Sequence, residues 1–314
     1  MNAEVREIAR HEAPASFMHM QCAPSKHLTN TSLHQLDYPS TSTNRPPSPT
    51  SPTDPSIMAP QPTTPGVTIN SAGKKSFIPL ENNPNVFTSL MHNLGVSSKL
   101  ICHDIYTLDR SFLTTISRPV HALIFIAPGP VYHRVRARHD GGTGSGSRVD
   151  ERITYDATGP EEPILWFRQT IGNACGLYSL VHAVGSGSAR AQVQPDTLID
   201  RLLKQAEPLH RVERAAVLYD SLELERVHMA AAVEGDSHAP ESQEKVGYHF
   251  ITFVKGKDGH LWELEGSWDP IDRGVMEDGE DLLSERVVEM GVGKFVKEAE
   301  GNVGFSVVAV VTEE

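Results

Sequence analysis

Residues 173–184, NACGLYSLVHAV, are apolar almost all the way round a helical wheel. A helix of that kind has no face to offer to water and must lie at the centre of a domain, covered on every side. The rest of the chain supplies that cover unevenly. The first 75 residues hold 11 of the 22 prolines and include RPPSPTSPTDP at 45–55. Their sparse apolar residues follow neither a helical nor a strand period, so this stretch buries too little surface to offset the entropy of ordering it. We read residues 1–75 as a disordered Ser/Thr/Pro-rich tail. Residues 76–314 then form one large domain, not the two that 314 residues suggest on length alone.

The tail carries six Lys/Arg against five Asp/Glu, a charge of +1, so with a chain total of −12 the domain is near −13. An acidic domain is a poor general binder of nucleic acid, whose affinity rests on neutralising phosphates, and it suits a basic protein or peptide partner. No run of 18 apolar residues exists, so no membrane span is expected. The N-terminus, MNAEVREIARHEAPASF, has no apolar h-region. Three scattered cysteines, Cys22, Cys102 and Cys175, suit neither a disulfide framework nor a zinc site, and a reducing intracellular address follows. His139, His210, His228, His238 and His260 form no metal-ligand spacing, so neither a metal nor another cofactor is expected.

Local signals place the elements. Asn83-Pro84 is an N-cap with proline at the first helical position; Val86, Phe87, Leu90, Met91 and Leu94 recur at helical spacing, and Gly95 supplies the stop. VHALIFIA at 120–127, bounded by prolines, reads as a strand buried on both faces. Residues 139–160 are Gly-rich and polar and read as a mobile insertion. Residues 198–233 read as two helical pieces broken near Pro208, and HFITFV and HLWELE flank KGKDG as a hairpin. FSVVAVV at 305–311 is a last strand. Helices and strands mix without strict alternation and the hairpin is antiparallel. That is an α/β (α+β) architecture, a sheet covered by helices, and not a doubly wound nucleotide fold.

Cys175 falls in the first turn of the buried helix, where the positive end of the helix dipole favours thiolate, the nucleophilic form. Gln169, six residues earlier, can offer side-chain N–H donors to an oxyanion. On a hairpin that pairs 254 with 260, His249 lies opposite Glu265. A carboxylate there fixes the imidazole tautomer and stabilises the imidazolium, which is what a general base for a thiol needs. A lone cysteine is more often inert, and a lone histidine is more often filler. Cysteine, histidine and acid in that order, with the cysteine on a helix, is the logic of papain-like thiol hydrolases.

QTIGNACG at 169–176 resembles the nucleophile motif of the ubiquitin C-terminal hydrolases. The resemblance extends over nearly all of 76–314, through FIPLENNPNVFTSLMHNLG (77–95), HDIYTLD (103–109), EKVGYHF (244–250), DGHLWELEG (258–266) and GFSVVAVV (304–311), and is to the short form of the family. It implies a papain-like core, a central antiparallel sheet flanked by helices, and a knotted backbone. It also implies a crossover loop at about 228–248 that admits flexible chain ends and excludes bulky folded leaving groups.

Carried over by position, Cys175 is the nucleophile, His249 the general base, and Gln169, with the Cys175 N–H, the oxyanion hole. The family aspartate is matched by Glu265 on a hairpin one residue longer, with Asp269 and Asp272 as possible stand-ins. Glu81 and Asp104 match acidic positions that meet the basic ubiquitin tail, whereas Asn85 stands at the next one. The resemblance thus implies a cysteine-dependent deubiquitinase acting at the C-terminal glycine of ubiquitin and serving ubiquitin recycling and ubiquitin-dependent protein catabolism. Its partner would be ubiquitin, through both tail and globular face, with neither nucleic acid nor membrane. A monomeric state and a cytoplasmic or nuclear address are expected. Two alternatives remain open on the sequence: a ubiquitin-binding module that has lost catalysis through Glu265, and a hydrolase of a ubiquitin-like modifier.

Overall fold

Asn83 caps the first long helix as its sequence requires: its Oδ1 accepts from the Asn85 N–H, Pro84 takes the first helical position, and Gly95 at φ +104° ends it. The five apolar residues at helical spacing in that helix are all buried. The protein is described here by a computed structural model covering residues 64–141, 153–235 and 247–313. In chain order the elements are β1 (Thr68–Ile69), β2 (Lys75–Ser76), α1 (Pro84–Leu94), β3 (Leu100–Asp104), α2 (Arg110–Leu113), β4 (Val120–Pro128) and α3 (Gly129–His139). Then come α4 (Cys175–Gly185), α5 (Leu198–Ala206), α6 (Arg211–Tyr219), α7 (Leu222–Ala232), β5 (Tyr248–Lys255), β6 (His260–Glu265), β7 (Trp268–Val275), α8 (Glu285–Met290), α9 (Val292–Lys297) and β8 (Ser306–Thr312).

Six strands form one sheet in the order β3-β8-β4-β5-β6-β7, every pair antiparallel. All nine residues of β4 are buried, and they alternate between two cores. Ala122, Ile124 and Ile126 join the core that surrounds α4; Leu123, Phe125 and Ala127 join the core under α3, α8 and α9. A strand covered on both faces is apolar throughout, which is why VHALIFIA shows no alternation. Helix α4 is the buried helix of the sequence: ten of its residues, Gly176 to Gly185, are buried. It lies on β5, where the Thr252 hydroxyl donates to the Ser179 carbonyl at 2.9 Å.

Several expected boundaries move. Of the tail assigned to 1–75, residues 1–63 lie outside the described residues, and 64–75 belong to the domain. There β1 pairs with β2, and the Lys75 ammonium reaches the buried Glu225 carboxylate at 2.8 Å, which also accepts from Thr64. The insertion expected at 139–160 is narrower. His139 closes α3, residues 142–152 lie outside the described residues, and residues 153–156 are packed: Ile153 is buried, and Asp269 accepts from the N–H groups of Thr154 and Tyr155. Helix α3, which opens on Gly129-Pro130 directly after β4, was not expected from the sequence. Residues 198–233 form three helices, because a second break at Asp220-Ser221 adds to the one at Pro208.

The hairpin register also differs. Val254 pairs with Trp262, not with residue 260, because Gly256–Gly259 form the connection, with Gly256 and His260 bonded across it. A shift of two residues keeps every side chain on its face. Behind this hairpin, Arg136 of α3 and Arg273 of β7 are buried with Asp140 and Glu263; Arg273 bonds both acids at 2.6 Å, and Arg136 pairs with both.

The Lys75–Glu225 pair is the link that most directly ties the N-terminal hairpin to α7. Lys75→Ala removes the Lys75 ammonium from the buried Glu225 carboxylate. It is expected to cost about 3–5 kcal/mol, read as a lowered urea midpoint.

Candidate active site

Asn173, at φ +57°, turns the chain into α4 and places Cys175 at the head of the helix. The next residue has to be small. A Cβ on Gly176 would lie 3.3 Å from Leu80 and 3.5 Å from Phe250, so its absence lets the helix press against the segment before α1 and against β5. Burial pushes the Cys175 thiol up to about 12; the N–H groups of Gly176 and Cys175 pull it down, and the Glu265 charge pushes it up. The N–H groups at the helix head act on the sulfur in the direction the sequence argument gives, and burial opposes them.

His249 lies near the start of β5, paired with Ala127 of β4. Continuing the β5–β6 register by one step sets Glu265 across from Ile251, on the same face as His249 and diagonal to it, not directly opposite. The glutamate spans that diagonal: the Nδ1 of His249 is 3.4 Å from its Oε1. Burial alone would raise the Glu265 carboxyl, but the bond and charge of His249 and two bonds from Ser267 hold it down at about 2. Ser267 contributes its N–H at 2.8 Å and its hydroxyl at 2.7 and 2.9 Å. The two stand-in acids are engaged elsewhere: Asp269 accepts from Thr154 and Tyr155, and Asp272 pairs with His260 at 2.8 Å.

Gln169 is fixed at both ends. Its backbone N–H donates to the Gly266 carbonyl at 2.8 Å, and its side-chain amide donates one hydrogen to the Ile171 carbonyl at 2.9 Å. The amide nitrogen retains a second hydrogen. A Cβ on Gly266 would meet the Gln169 Cβ at 2.5 Å, so the glycine after the acid is what lets the oxyanion residue sit against the acid-bearing strand. Cys175, His249, Glu265 and Gln169 all line one cleft of about 320 Å³, with Lys74 and Arg168 beside them. The structure therefore brings together the four catalytic candidates named from sequence.

The two proposed tail-binding acids do not line that cleft. Glu81 is buried, with a carboxylate oxygen 2.1 Å from where a Gly235 Cβ would be; Asp104 ends β3 and pairs with Val308. Of the crossover expected at about 228–248, residues 228–232 are the last turns of α7, and 236–246 lie outside the described residues. His182 is buried, its Nε2 3.0 Å from the Phe167 N–H, and burial lowers it to about 4, so it is a neutral structural histidine. Among the described residues no group of three or more His, Cys, Asp or Glu could hold a metal ion, and no helix is long and apolar enough to cross a membrane.

Sequence reasoning missed three neighbours of the site. Tyr132 of α3 stacks on the His249 ring, with centroids 3.8 Å apart and planes 7° apart, and donates its hydroxyl to Glu265 Oε2 at 3.1 Å. Trp166 donates its indole N–H to the Glu265 carbonyl at 2.9 Å. Ser267 was readable only once the acid was placed, since it follows Glu265-Gly266.

Comparison with known proteins agrees with this geometry. A family model described as ubiquitin carboxyl-terminal hydrolase, family 1, matches residues 77–297. A probable ubiquitin carboxyl-terminal hydrolase of Dictyostelium discoideum is 31% identical over 193 residues, 62% of this chain and 72% of that protein. Ubiquitin carboxyl-terminal hydrolase 3 of Arabidopsis thaliana is 28% identical over 246 residues, 76% of this chain and 96% of that one. Among solved structures, the catalytic domain of Trichinella spiralis UCH37, bound to ubiquitin vinyl methyl ester, is similar in fold, with a TM-score of 0.55 and 20% identity over 76% of this chain and 95% of that one.

The depressed Glu265 pKa carries a stability consequence of definite sign. A carboxyl at about 2 in the fold against 4.5 ordinarily contributes stability that is complete above pH 4.5 and is lost as pH falls toward 2. In urea unfolding, the gap between the unsubstituted protein and Glu265→Gln is expected to be on the order of a few kcal/mol at neutral pH and to narrow progressively below pH 4.5.

Proposed function

Since this chain belongs to the ubiquitin carboxyl-terminal hydrolase family 1, and is a cysteine-type ubiquitinyl hydrolase, we propose that it cleaves thioester, ester, amide and isopeptide bonds after the C-terminal glycine of ubiquitin through a thioester on Cys175. The observation that carries this reading is the convergence of Cys175, His249, Glu265 and Gln169 on one cleft from separate parts of the chain.

The steps follow from those positions. Glu265 occupies the Nδ1 side of His249, so Nε2 is the nitrogen that accepts the Cys175 proton. Burial opposes ionisation of the Cys175 thiol, and the imidazole takes the proton to form the attacking thiolate. The sulfur attacks the glycine carbonyl, and the oxyanion is met by the second amide hydrogen of Gln169 and by the backbone N–H of Cys175. The imidazolium gives its proton to the departing amine or alkoxide. Water, deprotonated by the same imidazole, then attacks the thioester, ubiquitin leaves as the free acid, and the thiol is regenerated. Glu265 keeps its charge throughout and stabilises the imidazolium.

The acidic net charge supports ubiquitin, with its basic tail, as the partner. We assign the part-buried Asp104 and the buried Glu81 to recognition of that tail at positions outside the catalytic cleft, with Asp104 the one exposed enough to bear on on-rate. On the strength of the family resemblance, we further propose a monomer acting in ubiquitin recycling and ubiquitin-dependent catabolism in the cytoplasm or nucleus. Small or unstructured leaving groups would be preferred.

Ubiquitin carrying a fluorogenic group on its terminal glycine tests the assignment. Release is expected in the unsubstituted protein and is expected to vanish in Cys175→Ala, which should still bind ubiquitin. Saturable binding without release in the unsubstituted protein would make the chain a ubiquitin receptor, and release restored by a ubiquitin-like modifier would reassign the substrate. Gly266→Ala, which drives a methyl into Gln169, is expected to lower kcat by about 10- to 100-fold with KM little changed.

A further inference from the structure

We propose that Tyr132 is a positioning residue for the reaction: its ring sets the plane of the His249 imidazole, and its hydroxyl sets the Glu265 carboxylate that faces it. The inference rests on the reading that Cys175 and His249 carry the chemistry.

The His249–Glu265 contact is long. A charge-assisted N–H to carboxylate bond is ordinarily about 2.7–2.9 Å, whereas this one is 3.4 Å. A contact of that length tolerates rotation of the ring, so the acid alone does not define where Nε2 points. Tyr132 supplies the missing constraint. With ring centroids 3.8 Å apart and planes 7° apart, the phenol covers one face of the imidazole and resists tilting about its long axis. The same side chain donates to Glu265 Oε2, while Glu265 Oε1 is the oxygen nearest His249. One rigid group therefore holds both partners of the pair, and Ser267 donates to both oxygens of the carboxylate.

Tyr132 is itself fixed. The Arg136 guanidinium lies over its ring at 4.5 Å and is locked by Glu263 and Asp140, and the His133 ring stands edge-on to both Tyr132 and His249. The backbone delivers it there. Ala127 pairs with His249 and Pro128 with Tyr248, so the last residues of β4 lie beside the base. Gly129 then starts α3, with its N–H bonded to the Gly247 carbonyl at 2.9 Å, and a Cβ at 129 would come within 3.1 Å of that oxygen. The helix leaves the strand at a fixed angle and lays its first turn over the imidazole. Tyr132 is 2% exposed, so ubiquitin cannot reach it, and any effect on turnover must pass through His249 and Glu265.

The test measures kcat and KM on C-terminally fluorogenic ubiquitin for Tyr132→Phe, Tyr132→Leu, Glu265→Ala and the Tyr132→Phe/Glu265→Ala double variant. Tyr132→Leu, which loses the stack, is expected to lower kcat about 100-fold with KM within about twofold. Tyr132→Phe keeps the stack and is expected to restore most of that rate, leaving a loss of about 3- to 10-fold. That residual loss should vanish in the Glu265→Ala background, because the hydroxyl acts through the carboxylate. Equal losses from Tyr132→Phe in both backgrounds, or an unchanged kcat in Tyr132→Leu, would overturn the proposal. So would loss of ubiquitin binding in Tyr132→Leu/Cys175→Ala relative to Cys175→Ala, which would make the role one of folding. Absence of any Cys175-dependent release in the unsubstituted protein would overturn the parent reading and this one with it. Cys175-dependent release that survives Tyr132→Leu undiminished overturns the positioning role alone.

Discussion

The approach of α4 to β5 is the contact on which the rest of the site depends. Thr252 of β5 donates its hydroxyl to the Ser179 carbonyl of the helix, and Gly176 leaves room for Leu80 beside it. With the helix pressed on that strand, its first residue and the strand's second, Cys175 and His249, open into one cleft. A helix apolar on all sides cannot slide outward without exposing its buried residues, so the hydrophobic effect anchors the backbone that carries the sulfur. The site is rigid because the core is.

The acid shows how a longer side chain is accommodated. Glu265 sits diagonally from His249, where its extra methylene helps it reach across the pleat. Its carboxylate is then trimmed into place by Tyr132 and Ser267. Gly266 ties this arrangement to the oxyanion residue, since its carbonyl accepts from Gln169 and its lack of a Cβ permits the approach. Acid, base and oxyanion donor are therefore coupled through three consecutive residues, 265 to 267. A change in that run alters the orientation of the imidazole and the donor together.

Much of this was legible in the sequence because the signals were local. Asn83-Pro84 and Gly95 delimit α1, the doubly buried strand is one apolar run, and Cys175, His249, Glu265 and Gln169 are named by motif. Signals carried by tertiary contact were not legible. Helix α3 opens on Gly129-Pro130 directly after β4, and what supports it is tertiary packing, with Val131, Tyr132 and Val135 buried. Residues 64–75 look like the end of a Pro-rich tail because their reason for order, the Lys75–Glu225 pair, joins positions 150 apart in sequence. The hairpin register was misjudged by two residues because the turn chemistry of Asp258-Gly259 does not show that Gly256 also belongs to the connection. The same-face relation of His249 and Glu265 survived only because the error was even.

The surroundings of the nucleophile explain why the base must be held so firmly. Burial at the helix head and the negative charge of Glu265 oppose ionisation of the sulfur, and two N–H donors favour it. Transfer of the Cys175 proton therefore depends on the direction in which His249 presents Nε2. The surrounding architecture follows from that requirement: a ring stacked on the imidazole, a carboxylate held by several donors, and an arginine cluster behind the ring, all directed at the orientation of one side chain. The same desolvation that opposes ionisation of the sulfur alone strengthens the imidazolium–carboxylate attraction, so burial favours the ion pair formed once the proton has moved to His249.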